Sequence, residues 1–406
     1  MSSPPAILLG GAANALSIAR SLGRRGIPVV ALNDEASHVR HSRFGRFVPL
    51  PAGVDMQKAW LDWLRVEGRN DYRGGVVLPC CDDALELLAG SRKELEADFI
   101  LTEANDEVVL AMLDKAKTQA LAARAGVPAP QVWEVKDRAE LLKVLLEIPY
   151  PCALKPCHSH LFSRHFPTRK LFVAENERQL LEQFEATARF NLEMLVTEIV
   201  AGPDDRYWGY FTYLDEAGRP LVQFIKHKLR QHPVGFGVGT FHISRWDPEV
   251  AELGLAFSQG AGLRGMVYVE FKRDARDGRL KLIECNPRFT GANELLARCG
   301  IDYSLLVYNR LTGRPLPPAD SFRQGVRLLR PAQDFLAFLE YRRRGEITTL
   351  SWVRTLLRPY CTPFFSWTDP WPSVVQTARQ VRYQLEKRVF APLFRLIRPG
   401  RGATAG

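Results

Sequence analysis

The chain has 406 residues, of which 46% are hydrophobic and 25% charged, with a formal net charge of +10. That length exceeds one ordinary core and implies two or three domains of a globular protein. No run of about 18 or more apolar residues occurs, which excludes a spanning helix. Seven scattered cysteines without zinc-ligand spacing point to a reducing compartment rather than a disulfide framework.

Residues 6–9, Ala-Ile-Leu-Leu, read as a short buried strand, Gly10-Gly11 as a turn, 14–22 as a helix and 26–32 as a second strand. Strand, helix, strand in that order begins a doubly wound parallel sheet with right-handed crossovers. A helix at 55–66, a strand at 75–78, a helix at 82–89 and a strand at 99–101 follow, closing a first domain near residue 111. Gly10-Gly11-Ala12-Ala13-Asn14-Ala15, with Asp34 downstream, approaches a dinucleotide fingerprint. Ala15 stands where the third glycine belongs, so a dinucleotide oxidoreductase is disfavoured. The turn can still offer backbone N–H groups to an anion. The N-terminus lacks the basic-then-apolar pattern of a signal peptide, and the expected location is cytoplasmic.

Asp114 is placed to cap a helix that carries Lys115 and ends at Gly126-Val127-Pro128. Tyr150-Pro151-Cys152-Ala153-Leu154-Lys155-Pro156 is a strand whose lysine, set among apolar neighbours, is costly to bury without a partner. Residues 157–166 read as a glycine-free loop with His158, His160 and Arg164, lacking the further ligands a zinc site needs. A strand at 195–200, containing Glu198, Ile199 and Val200, runs into a Gly-Pro turn with Asp204 and Asp205. In 221–230, Lys226, Lys228 and Arg230 share one strand face. Three cations in line repel unless an anion lies across them, and a solvent-facing edge strand guarded by lysines is the alternative. The glycine-rich stretch 233–240 allows close backbone approach to a ligand.

The most informative segment is a hairpin. Met266-Val267-Tyr268-Val269-Glu270-Phe271 and Lys281-Leu282-Ile283-Glu284-Cys285-Asn286-Pro287-Arg288 flank an Asp-Gly turn. A three-residue loop with Gly278 left-handed pairs residue 275 with 279, and so puts Glu270 opposite Glu284 with Asn286 on the same face. Opposed carboxylates repel, and a bound cation reverses that sign. Two carboxylates and an amide oxygen form a hard donor set suited to Mg²⁺, which shares its other positions with waters and phosphates.

Strand-Glu, then Glu-x-Asn-x-Arg about a hairpin later, resembles the metal and phosphate site of the ATP-grasp ligase superfamily. Loop 233–240 is similar to that of its carboxylate–amine ligases of the D-aspartate ligase type. The resemblance spans 112 to about 310, and 1–111 more loosely. It implies an α/β chain with a doubly wound N-terminal domain at 1–111 and an ATP-grasp core of two α+β lobes at 112–320; beyond about 320 it gives little help, and 321–406 read from their own residues as a basic helical extension. It further implies that Lys115 and Lys155 bind ATP phosphates, that Glu198, Ile199 and Val200 form the adenine hinge, and that Asp205, or Asp204, takes the ribose. Glu270, Glu284 and Asn286 then hold Mg²⁺, with Mn²⁺ as a substitute. Arg288, Lys228 and Arg230 are the expected catalytic cations. The implied activity is carboxylate–amine ligation through an acyl phosphate, with small-molecule acid and amine substrates; an ATP-grasp carboxylase or kinase is the alternative. A homodimer is left open.

Residues 321–406 hold 15 Arg and Lys against 5 Asp and Glu, so this segment alone accounts for the net charge. Its arginines interleave with Trp352, Tyr360, Phe364, Phe365, Trp367 and Trp371. A basic helix is expected at about 373–390, with Val374, Ala378, Val381, Leu385 and Val389 on one side. Such a tail suits docking on the body or an anionic surface, either a membrane's inner face or an envelope precursor. Nucleic acid is the disfavoured partner.

Overall fold

The computed structural model describes residues 3–385 apart from 52 and 168. The N-terminal sheet is wholly parallel. Its spatial order is Arg46–Leu50, Val29–Asp34, Ala6–Leu9, Val76–Pro79, Ile100–Leu101. The strand order reverses between Ala6–Leu9 and Val76–Pro79, and a doubly wound sheet opens its binding crevice at that point, beyond the strand ends. Gly10, Gly11, Cys80 and Cys81 occupy it. Gly10 and Gly11 have φ of 70° and 83°, and a Cβ on Gly11 would stand 2.5 Å from that of Cys80. Only glycine fits there.

A four-stranded sheet orders Val132–Glu134, Met194–Glu198, Cys152–Pro156 and Phe172–Ala174. A six-stranded antiparallel sheet orders Leu280–Asn286, Gly265–Arg273, Tyr207–Leu214, Pro220–His232, Val238–Ser244 and Arg327–Leu329. Pro220–His232 therefore has a neighbour on each side and is no edge strand. The residues beyond 320 return to the same sheet through Arg327–Leu329. Helix Pro331–Arg343 packs beside it, and helix Trp371–Leu385 lies against the His38–His41 turn of the N-terminal domain.

One face of the six-stranded sheet changes character along its strands, and this positions the site. Phe211, Tyr213, Val222, Phe224, Met266 and Tyr268 are buried in one core with Leu295, Leu306 and Tyr308, and with Ile18 of the N-terminal domain. Further along the same face the residues become Lys226, Lys228, Glu270 and Lys272. The opposite face is mostly apolar, with Tyr210, Ile225, Val269, Phe271 and Leu282 in one core with Phe257 and Ala122. The charged end of the first face is a cleft floor, since charged side chains are buried only when paired or facing a ligand.

Residues 157–166 are not the expected loop. Ser159–His165 form a short helix with His158 at its N-cap. The predicted tail helix is observed as Trp371–Leu385; Val389 and residues 392–398 lie outside the described residues.

Candidate active site

Glu270 and Glu284 are directly opposed across their strands, and Asn286 opposes Tyr268. The route to that register differs from expectation. The pairs nearest the turn are Arg273 with Leu280 and Lys272 with Lys281, one residue out of the later register, and a bulge at Ile283, between the Glu270 and Phe271 pairs, restores it. The turn closes with Gly278 N–H donating to the Asp274 carbonyl at 2.9 Å, not with a 275–279 pair. A longer turn and a one-residue bulge cancel.

The row continues across the sheet: Glu284, Glu270, Gly209, Lys226, Ser244. Gly209 matters because it lacks a side chain. A Cβ there would lie 2.7 Å from both Lys226 Cε and Tyr268 Cε2. Its absence lets the Lys226 ammonium rest over the Tyr268 ring, 4.8 Å from the centroid. Nothing in the local pattern of Tyr207–Leu214 marks this glycine; only its register does.

The expectation that only a metal reconciles the two glutamates needs correction. Glu270 already accepts from Lys228 Nζ at 3.0 Å and from the Tyr268 hydroxyl at 2.8 Å. Burial raises the Glu270 pKa, but Lys228 and Lys226 outweigh it and hold the carboxyl below its usual range. Glu284, by contrast, is exposed to the cleft. Its Oε1 accepts from Asn286 Nδ2 at 3.1 Å, and Asn286 Oδ1 accepts from Arg288 Nη2 at 3.2 Å. Among the described residues no group of three or more His, Cys, Asp and Glu could hold a metal. The donor set is two carboxylates and an amide, all oxygen, with one carboxylate open to the cleft. It fits Mg²⁺, which binds few protein ligands and keeps waters.

Arg288 lies where the sheet meets the N-terminal domain. Its Nε donates to Asp82, in the first turn of helix Asp82–Leu95. Burial opposes its charge, yet Asp82 keeps its pKa raised. Arg230 is not a free catalytic cation. Its Nε and Nη2 grip both oxygens of buried Asp334 at 2.9 and 2.8 Å, so its expected role is corrected to a structural one.

The second lobe supplies Lys115 and Lys155. Lys115 Nζ donates to the Pro156 carbonyl at 3.0 Å. Burial lowers its pKa and the Glu284 charge partly restores it, so this lysine lies within electrostatic reach of Glu284. Burial, then neighbouring Lys115, pulls Lys155 down to about 8, and Glu284 again acts in the opposite direction.

Glu198 ends strand Met194–Glu198. Its side chain braces the two lobes, accepting from Lys281 Nζ at 3.0 Å and from Arg276. The Val200 carbonyl accepts from Lys272 Nζ at 2.8 Å, and Ile199 lies between the two. Asp204 is buried and fully engaged: it accepts from Gln231 at 2.7 Å, Gly235 N–H at 2.9 Å and the Tyr341 hydroxyl at 2.6 Å. Asp205 is exposed, with its carbonyl bonded to His227. The glycine-rich stretch also holds the tail, since Val234 N–H donates to Glu340 at 3.0 Å.

No family model matches the chain. It is 23% identical over 301 residues to the D-aspartate ligase of Enterococcus faecium (strain Aus0004), covering 70% of each chain. Among solved structures it resembles the biotin carboxylase domain of 2-oxoglutarate carboxylase from Hydrogenobacter thermophilus, a dimer in complex with MgADP, ADP and bicarbonate. That match has a TM-score of 0.64 at 18% identity, covering 80% of this chain and 74% of the other. An L-amino acid ligase from Bacillus licheniformis matches with a TM-score of 0.60 at 18% identity, covering 77% and 75%. The chain has the ATP-grasp fold: a doubly wound parallel N-terminal domain, two mixed α+β lobes and a C-terminal helical extension.

Proposed function

We propose that this chain is an ATP-dependent carboxylate–amine ligase, in which a carboxylate is activated as an acyl phosphate and an amine then displaces phosphate to form an amide. The observation that carries the reading is the meeting of Glu270, Glu284 and Asn286 on one lobe with Lys115 and Lys155 on the other, each lysine sensing the Glu284 charge. An anion approaching a polyphosphate is opposed electrostatically, so positioned positive charge should dominate catalysis.

When bound, Mg-ATP supplies the electrophilic phosphorus and part of the compensating charge. Glu270, Glu284 and Asn286 would hold the metal, and Mn²⁺ suits the same oxygens. Lys228 keeps Glu270 ionised and oriented. Lys115 and Lys155 would bind phosphates, the backbone of Glu198, Ile199 and Val200 the adenine edge, and Asp205 the ribose, since Asp204 is occupied. Arg288, held by Asp82, faces developing negative charge beside Asn286. No nucleophilic side chain is required. The relatives include a D-aspartate ligase and an L-amino acid ligase, which supports amine and amino-acid chemistry.

The test is ADP release from the full chain with Mg-ATP across pools of carboxylates and amines, with Glu284→Ala as the blank. A carboxylase reading is favoured by the biotin carboxylase likeness. Hydroxylamine separates the two, because it traps a carboxylate-derived acyl phosphate as a hydroxamate, whereas carboxylation requires bicarbonate.

The tail adds a partner to this proposal. Its exposed Trp367 and Trp371 accompany Arg354 and Arg358, a combination suited to the anionic inner face of a membrane or an anionic envelope precursor. Among the described residues no helix is long and apolar enough to cross a membrane. The proposed setting is the cytoplasm, in keeping with seven free cysteines, and the proposed domain boundaries lie near 111 and 320. A homodimer is also proposed, on the dimeric state of the carboxylase domain.

A further inference from the structure

Helix Pro331–Arg343 follows the last strand of the six-stranded sheet, yet one of its side chains reaches the floor of the cleft. Tyr341 is buried, and its hydroxyl donates to Asp204 Oδ2 at 2.6 Å. Burial, then Asp204, push the phenol pKa up, so it keeps its proton and remains the donor. Asp204 Oδ1 accepts from Gln231 Nε2 at 2.7 Å, and Gln231 Oε1 accepts from Lys228 Nζ at 3.3 Å. Lys228 also donates to Glu270 Oε2 at 3.0 Å. Four hydrogen bonds thus run without a break from the C-terminal helix to a carboxylate of the candidate metal set. Tyr341, Asp204, Gln231, Lys228 and Glu270 are all buried, where such bonds act in a low dielectric and reinforce one another.

The residue types dictate the direction of each link. Gln231 stands between an ammonium and a carboxylate, so its carbonyl must face the first and its NH₂ the second. An amide of that length offers an acceptor at one atom and donors at the other, which neither a carboxylate nor an amine can do. Asp204 is held a third time, by Gly235 N–H at 2.9 Å. Gln231 N–H donates back to the Tyr341 oxygen at 3.3 Å, which closes a ring among the three. The Lys228 ammonium lies 4.0 Å from the Tyr207 ring centroid. Between that ring, Gln231 and Glu270 it has one place to sit.

That place decides how Glu270 presents itself. A carboxylate has about four lone-pair directions on its two oxygens. Lys228 takes one on Oε2 and the Tyr268 hydroxyl one on Oε1, at 3.0 and 2.8 Å. Gripped at both oxygens, the carboxylate cannot turn, and its remaining lone pairs keep a set direction. Mg²⁺ demands near-ideal octahedral geometry, whereas Ca²⁺ accepts a looser one. Partners standing behind a metal ligand commonly set affinity by roughly 10–100-fold.

We propose that Tyr341 is a positioning residue for the metal site: through Asp204, Gln231 and Lys228 it fixes the orientation of Glu270, so the cleft is incomplete without the helix beyond residue 330. This rests on the ligase reading for what the metal does in turnover. The alignment of Glu270 is read from metal binding and requires no turnover.

The test follows Mn²⁺ binding to the full-length protein by the EPR signal of the free ion, with a non-hydrolysable ATP analogue present, and then displaces it with Mg²⁺ or Ca²⁺. Tyr341→Phe should weaken Mg²⁺ by about three-fold and Gln231→Leu by about ten-fold, with Ca²⁺ weakened less in both. The double variant should be no worse than Gln231→Leu alone, because one cut already opens the chain. Glu340→Gln, on the same helix, weakens the contacts to Val234 N–H and His232 but leaves the chain intact, and should bind Mg²⁺ as wild type does. The proposal is overturned if Tyr341→Phe keeps wild-type Mg²⁺ affinity, if Mg²⁺ and Ca²⁺ weaken equally, if the two losses multiply, or if Glu340→Gln loses as much. Should Gln231→Leu misfold, Tyr341→Phe and Glu340→Gln decide between them. Failure of the ligase reading appears separately, as no ADP release with any acid while the Mg²⁺ losses hold.

Discussion

Arg230 and Asp334 lie 104 residues apart and meet through two parallel hydrogen bonds of 2.9 and 2.8 Å, both residues buried. Asp334 accepts further bonds from Thr240 at 2.8 Å and Trp352 at 2.9 Å. The carboxylate thus locks the helix after Arg327–Leu329 onto the sheet that carries the site. Removing one partner of such a pair strands the other charge, at a cost of about 3–5 kcal/mol. Asp334→Asn should lower stability by that order in urea unfolding, while the double variant Arg230→Met/Asp334→Leu should regain part of it. A single variant within roughly 0.5 kcal/mol of wild type would show that the tail is not held here.

Glu284 and Glu270 should respond differently to substitution. Glu284 is exposed and, among the described residues, bonds only Asn286, so Glu284→Gln should leave the unfolding midpoint nearly unchanged. Without its charge the metal set is weakened, and ADP release should fall by two orders of magnitude or more, with a raised Mg²⁺ requirement. Glu270→Gln removes the partner of buried Lys228 and should lose stability as well as turnover. Equal stability losses in both would contradict the described burial.

Gly209→Ala tests the row across the sheet. The added Cβ meets Lys226 Cε and Tyr268 Cε2, both at 2.7 Å. The tyrosine is buried and cannot step aside freely, so a cost of about 1–3 kcal/mol is expected. Lys226 should be pushed from Glu270, and turnover should fall further than stability alone explains. Thermal unfolding alongside ADP release separates the two effects.

The sequence carried the parallel sheet, the hairpin and the opposed glutamates because each rests on short-range rules: period two, turn glycines, Asp-Gly. It carried the Lys226, Lys228 and Arg230 face for the same reason. It could not assign their partners. Asp334 pairs with Arg230 only once the chain has returned to the sheet, and Tyr341 looks locally like any other aromatic of a basic tail. The compensating bulge at Ile283 has no sequence mark, and it brings the longer observed turn to the same glutamate pairing that a three-residue loop would give. Asp204 and Asp205 are adjacent, and only burial separates the occupied acid from the open one.

Lys155 gives a pH signature. Its pKa falls from the usual lysine value to about 8, chiefly through burial. Below pH 8 it is charged in both folded and unfolded chains, and the folded state bears the desolvation cost. Between about 8 and the unfolded value the unfolded chain binds more protons, so this group's contribution to stability improves as pH rises. Phosphate binding needs the charged form and should move the other way. Affinity for a non-hydrolysable ATP analogue should weaken as pH rises through about 8, and Lys155→Arg should flatten that profile. A wild-type profile level from pH 7 to 9.5 would remove Lys155 from the phosphate site.

The exposed tail makes the last prediction. Trp367 is 88% exposed, Leu357 77% and Trp371 65%. Leu350, Val353 and Leu357 recur at helical spacing along Thr349–Leu356 and its C-cap, with Arg354 and Arg358 beside them. Large apolar side chains left in water beside arginines suit a headgroup boundary, where each basic residue near an anionic surface contributes about 1 kcal/mol. The full chain should sediment with vesicles containing phosphatidylglycerol and not with phosphatidylcholine alone, and 0.5 M salt should release it because screening shortens the reach of the arginines. Trp367→Ser with Trp371→Ser should weaken sedimentation several-fold without changing ADP release, since neither residue approaches the cleft glutamates. Equal binding to neutral and anionic vesicles, or none to either, would leave these side chains to a protein partner instead.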